Sequence, residues 1–197
     1  MNYLAHLVLS GNDKELRIGN FIADSVRGKN LSRFPERIAQ GITVHRHIDS
    51  FTDTHPIVSE SKDLIRPQYG LWSSVIVDLY YDHFLAANWS DYHKVGLEEY
   101  TIGFYQDLQD YWDILPPRIQ RFYPIMVEYN WIYSYRTVEG MSKILYQMNK
   151  RTKGKSNMDK AGNELREHYD VLEEQFRRFF KELQDYSKNL IQKMPLD

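Results

Sequence analysis

An all-α, single-domain helical bundle is the fold this sequence predicts. Three observations carry that reading. Apolar residues recur at helical intervals along nearly the whole chain, strand-type alternation is scarce, and Pro and Gly stand mostly where helices should end. At 197 residues the chain is long enough to bury a sizeable core in one domain, so residues 1–197 are read as one helical unit.

The elements follow in order. Residues 1–10 predict a short helix closed by Gly11-Asn12-Asp13, and residues 14–27 a second that stops at Gly28, a natural residue just past a helix end. Pro35 suits the first turn of a third helix, which carries His45 and Asp49 and ends before Pro56. A weaker helix is expected over 57–66 and a buried one over 71–88. Another spans 97–115, stopped by Pro116-Pro117, and shorter helices follow to about residue 150. After a polar basic loop at 151–157, one long helix is expected over 159–193. Its apolar residues Leu165, Tyr169, Leu172, Phe176, Phe179, Leu183, Tyr186 and Leu190 alternate in steps of four and three. Such a stripe serves a dimer seam or packing within the bundle, and packing within the bundle is the preferred reading.

Composition narrows the function. The 25 basic and 27 acidic residues nearly balance, so no global charge drives the chain toward nucleic acid or membrane. With no cysteine, disulfides, thiolate metal sites and Cys nucleophiles are excluded, and a reducing cytoplasm is the expected location. Residues 1–9 lack a basic leader and cleavage site, so no signal peptide is read there. No run reaches the ~20 apolar residues of a membrane span. P-loop, Rossmann, zincin and di-iron bundle motifs are all missing. The 15 tyrosines lack the basic-aromatic alternation of a nucleic-acid platform.

The chemistry-bearing residues sit inside apolar helices. His45, Asp49 and Asp53 fall at successive four-residue steps, as do Asp78 and Asp82, with His83 following. Residues four apart share one helix face, and a carboxylate buried on an apolar helix is costly unless paired or bound to a cation. A metal site of His and Asp is therefore expected, suited to manganese, iron or zinc. Such an ion polarises a phosphoryl oxygen and activates water, with Arg27, Arg46 and Arg136 as candidate partners for phosphate charge. Each residue also has an ordinary reading. His6 fits a hydrogen-bonded core histidine, Asp24 an i+3 pair with Arg27, and Asp53 a cap before Pro56.

Four motifs in order add a resemblance. Residues 1–7 (Met-Asn-Tyr-Leu-Ala-His-Leu), 19–28 (Gly-Asn-Phe-Ile-Ala-Asp-Ser-Val-Arg-Gly), His45-Arg46-His47-Ile48-Asp49 with Thr52-Asp53, and Asp82-His83-Phe84-Leu85 resemble the bacterial acyl carrier protein phosphodiesterases, as do Trp131 and Tyr135-Arg136. The resemblance implies a helical enzyme distantly similar to HD-domain phosphohydrolases, although this chain has no adjacent His-Asp pair. It implies manganese dependence, with Mg2+ or Fe2+ as alternatives, and hydrolysis of the phosphodiester joining 4′-phosphopantetheine to a serine of holo-acyl carrier protein. The ligand set is then drawn from His6, Asp24, His45, Asp49, Asp82 and His83, with Asp24, Arg27, Arg46 and Arg136 in catalysis. The implied partner is an acidic, helical carrier protein, for which Arg27, Lys29, Arg33 and Arg37, or Lys150, Arg151, Lys153 and Lys155, are candidate landing patches. Two rival functions are a phosphohydrolase acting on a nucleotide or other small phosphodiester, and a non-catalytic helical binding module whose His and Asp are only buried pairs.

Overall fold

Apolar periodicity becomes ten α-helices joined by short 3-10 turns in the computed structural model, which describes residues 1–194. The helices are α1 (Tyr3–Leu9), α2 (Lys14–Ile22), α3 (Glu36–Thr54), α4 (Pro56–Tyr69), α5 (Ser73–Ala87), α6 (Leu97–Asp110), α7 (Pro117–Glu128), α8 (Val138–Arg151), α9 (Ala161–Glu167) and α10 (Tyr169–Gln192). No strand occurs among the described residues. None of their helices is long and apolar enough to cross a membrane.

Local chemistry explains the boundaries. Asp13 caps α2 by accepting from the Leu16 amide, and Pro56 and Pro117 open α4 and α7, where a missing N–H costs nothing. Three ends differ from expectation. Helix α2 closes at Ile22 and continues as a 3-10 turn over Ala23–Ser25, after which Val26 is extended. Helix α6 stops at Asp110, and after a 3-10 turn over Trp112–Ile114 Leu115 is extended, as the residue before Pro116 must be. The expected single terminal helix is broken at His168 (φ −108°, ψ 21°), so α9 and α10 are separate. The break lets Tyr169 set its ring edge against His83 and Phe84, 5.6 and 5.0 Å between centroids.

One contiguous core runs from Leu4 on α1 to Leu183 on α10 and draws on every helix. Helix α5 lies in its middle, with Tyr80, Tyr81, Phe84 and Leu85 fully buried. The four-three stripe of α10 faces inward: Leu172, Phe176, Phe179 and Leu183 are buried, and Phe176 packs on Tyr81 and Phe84. It serves the bundle, as preferred above.

Candidate metal centre

Two glycines set the site. Helices α2 and α3 meet backbone to backbone at Gly19 and Gly41, where no side chain fits. A Cβ on Gly19 would lie 2.1 Å from the Ile38 carbonyl oxygen, and one on Gly41 2.4 Å from that of Leu16. Gly41 stands one turn before His45, and Gly19 stands beside Asn20. Close approach at the glycines therefore brings Asn20 and Asp24, one turn apart, onto the His45 ring. Asn20 Oδ1 lies 3.1 Å from Nδ1, and Asp24 Oδ1 3.2 Å from Nε2.

Helix α1 adds the second histidine. The His6 ring stacks on that of His45 at 4.0 Å between centroids and 19° between planes. Asp49 bridges the pair, with Oδ1 3.2 Å from His6 Nε2 and Oδ2 3.0 Å from His45 Nε2. One donor atom each from His6, His45 and Asp49 lies within 4.8 Å of the others. The His6 contact is off the axis of a hydrogen bond, and both its ring nitrogens are buried without a hydrogen-bond partner. His6 is therefore not the satisfied core histidine of the ordinary reading. A buried imidazole nitrogen without a partner, beside a second imidazole and two carboxylates, is the donor set that a divalent ion fits. The histidines form a closed floor, while the side chains of Asp24 and Asp49 are 61% and 40% exposed, so the carboxylate side is open to solvent.

Asn20, which sequence reasoning missed, orients this floor. It is fully buried, and its amide donates to the His6 carbonyl at 3.0 Å and to Ser10 Oγ at 2.9 Å. Both donors being used, Oδ1 is left to accept from His45 Nδ1–H, which turns Nε2 toward the carboxylates. The available signal was an amide one turn before Asp24 in an otherwise apolar helix, next to a glycine.

The electrostatics express one shared proton. Burial pushes His6 down, and the neighbouring His45 charge adds to this, leaving it at about 4. Burial also pushes His45 down, but hydrogen bonds to Asp24 and Asp49 outweigh it and hold His45 at about 9. Burial raises Asp49, yet the two imidazoles hold its carboxyl far below the usual range. The His45 hydrogen bond lowers Asp24. The site thus holds a protonated His45 between two carboxylates.

The other expected residues lie outside this cluster. Asp82 is fully buried and accepts from the amides of Asn2, Leu4 and Ala5 at 3.3, 2.7 and 3.2 Å. It caps α1 from across the fold, because Asn2 makes no side-chain cap. Burial holds Asp82 at about 7, against the pull of the Met1 nitrogen and those amides. Asp82 therefore places His6 instead of joining it. His83 uses both ring nitrogens, on the Tyr135 carbonyl oxygen (2.8 Å) and the Tyr169 hydroxyl (3.2 Å). Asp78 pairs with the Met1 nitrogen at 2.9 Å, and Asp53 with Lys62 at 3.8 Å. Asp24 binds His45 and forms no ion pair with Arg27. Arg46 donates to the Gly28 carbonyl at 2.7 Å and so anchors the segment bearing Arg27, while Arg136 lies over the Tyr133 ring at 4.4 Å. Arg27 is exposed and lines a cleft beginning at Ser25, next to Asp24. Arg37 is taken up by Asp13 at 2.7 Å, which removes it from the first landing patch.

The family model described as acyl carrier protein phosphodiesterase matches residues 1–183. The acyl carrier protein phosphodiesterase of Enterobacter sp. (strain 638) is 30% identical over 190 residues, 96% of this chain and 98% of that protein. That of an Escherichia coli strain is 30% identical over 186 residues, 94% of this chain and 96% of its own. No solved structure matches the chain. The chain belongs to the acyl carrier protein phosphodiesterase family and is an enzyme of that kind.

Proposed function

We propose that this family member is a divalent-metal phosphodiesterase that removes 4′-phosphopantetheine from holo-acyl carrier protein. The observation that carries the reading is the cluster of His6, His45 and Asp49, edged by Asp24, with two stacked, buried imidazoles on one side and solvent on the other. His6, His45 and Asp49 would hold the ion, with Asp24 as a further oxygen donor at the lip. Mn2+ is the ion of first choice, with Mg2+ or Fe2+ as alternatives. When bound, such an ion supplies Lewis acidity toward a phosphoryl oxygen and eases deprotonation of water.

The chain's own residues do the rest. Asn20 keeps His45 Nε2 aimed at the carboxylates, and Asp82 holds α1 so that His6 stays stacked on His45. Asp24, exposed at the open lip, accepts the proton of the attacking water. Arg27 balances the charge that grows on the phosphoryl oxygens, and Arg46 holds its loop in place. Water adds to phosphorus, the bond to the serine oxygen breaks, and the proton taken up by Asp24 passes to that oxygen, giving apo-carrier protein and 4′-phosphopantetheine. The likeness to HD-domain phosphohydrolases rests on this helical His-Asp site. A cytoplasmic location belongs to the same reading.

Mass spectrometry of holo-carrier protein, incubated with the enzyme with and without Mn2+, tests it. A phosphopantetheine-sized loss that needs the ion supports the proposal. Asp24→Ala should lose it at least a hundredfold with helicity unchanged. Hydrolysis of small phosphodiesters alone would favour the nucleotide-type alternative, and no bound ion in any preparation would favour the non-catalytic one.

A further inference from the structure

Six of the thirteen arginines of this chain are matched by carboxylates. Arg17, Arg37, Arg66, Arg166, Arg177 and Arg178 each lie within 4 Å of a carboxylate. Arg27, Arg33, Arg118, Arg121, Arg136 and Arg151 are exposed and have no ion-pair partner among the described residues. Three of these, Arg33, Arg118 and Arg151, connect through a cleft, the helix turn beside it or ring contacts to the segment that bears Asp24. Arg33 and Arg27 line a cleft of about 580 Å³ that starts at Ser25 and is closed by Leu115, Pro116 and Pro117, with Asp113 also on its wall. Arg118 follows Pro117 on the first turn of α7. Arg151 lies over the Trp131 ring at 5.6 Å, and a chain of rings leads inward from it. Trp131 contacts Phe122 at 4.4 Å, Phe122 approaches Tyr3 at 6.3 Å, and Tyr3 packs on Phe21 at 4.9 Å, one turn before Asp24. Burial raises the Tyr3 phenol, Asp24 adds to that, and Arg118 and Arg151 oppose it.

We propose that Arg33, Arg118 and Arg151 form the landing surface for an acidic helical partner whose phosphodiester enters at Asp24. This rests on the carrier-protein reading above and specifies where that protein docks. Three guanidinium groups with no internal counter-charge offer charge complementarity to acidic side chains. Their placement on proline and aromatic backing keeps them at the rim, where they steer approach without touching the ions' ligands. The surface crosses both sequence patches: Arg33 comes from one and Arg151 from the other, while Arg118 belongs to neither. Lys153 and Lys155 sit on a separate turn tied by Thr152 and Ser156.

Steady-state kinetics on holo-carrier protein and on bis(p-nitrophenyl) phosphate test the surface. Arg33→Glu/Arg118→Glu/Arg151→Glu should raise KM for the carrier protein on the order of tenfold at low salt and flatten its salt dependence. Hydrolysis of the small diester should be unchanged, which also shows that the variant is folded. The triple Ala variant should show a smaller rise in the same direction. An unchanged KM in both, or a rise produced by Lys153→Glu/Lys155→Glu instead, overturns the proposal. A single-stranded oligonucleotide that competes as well as the carrier protein does so too. If the wild-type enzyme hydrolyses the small diester and never the carrier protein, it is the functional reading that fails, and the docking surface with it.

Discussion

Replacing Asn20 by Ala isolates the device that aims His45. The side chain makes three buried hydrogen bonds, to the His6 carbonyl, Ser10 Oγ and His45 Nδ1. At about 1 kcal/mol net each, their loss costs roughly 3 kcal/mol. For a chain of this length that is a fall in Tm of about 6–12 °C. The second consequence is chemical: His45 Nδ1–H loses its acceptor and the ring its fixed orientation, so affinity for Mn2+ should drop about 10- to 100-fold. Thermal unfolding of the metal-free protein reads the first effect, and calorimetric Mn2+ titration the second. Ser10→Ala is the control. It removes a bond of the same network without touching His45, so it should lower Tm and leave Mn2+ affinity intact. A folded Asn20→Ala protein that binds Mn2+ as tightly as wild type would refute the orienting role.

Three further outcomes are expected. Asp82→Ala strands the amides of Asn2, Leu4 and Ala5 and should cost about 3 kcal/mol or more, whereas Asp82→Asn keeps an acceptor, recovers part of that and retains bound metal; loss of metal in a fully stable Asp82→Asn protein would make Asp82 a ligand after all. Gly41→Ala drives a methyl group against the Leu16 carbonyl, so α2 and α3 must separate and hydrolysis should fall at least about a hundredfold while far-UV helicity persists; a fully active variant would show that the helix contact does not build the site. His45, held at about 9 without metal against an ordinary 6.5, contributes stability that is complete below pH 6.5 and lost as pH rises through 9. The Tm of metal-free protein should fall across that window and Mn2+ affinity should rise, and a flat profile would deny the ion pair with Asp24 and Asp49.

Local pattern carried much of this protein. Helical periodicity, Pro and Gly mark most helix boundaries within a few residues, because those signals act through the backbone nearby. His45 and Asp49 were legible for the same reason, since a four-residue step places both on one helix face whatever surrounds them. His6 and Asp24 were legible through the family motifs, and the structure brings both to that face.

Tertiary packing decided the rest. Asp82 and His83 looked like ligands because a carboxylate or imidazole on an apolar helix needs a partner. Which partner satisfies it is a matter of what the fold brings near. For Asp82 that is the N-terminus of α1, 77 to 80 residues away, and for His83 a carbonyl oxygen and a phenol from two other segments. Asn20 gave no strong signal, since an amide is neither a charge nor a habitual ligand, and its importance comes from the glycine contact that presses it against His45. The break at His168 likewise has no proline or glycine to announce it. By itself the sequence determined the helices and the one face that offers His45 and Asp49. Only the packed structure decided which buried polar groups satisfy one another and which remain free to hold an ion, because pairing between distant side chains depends on three-dimensional proximity and not on spacing along the chain.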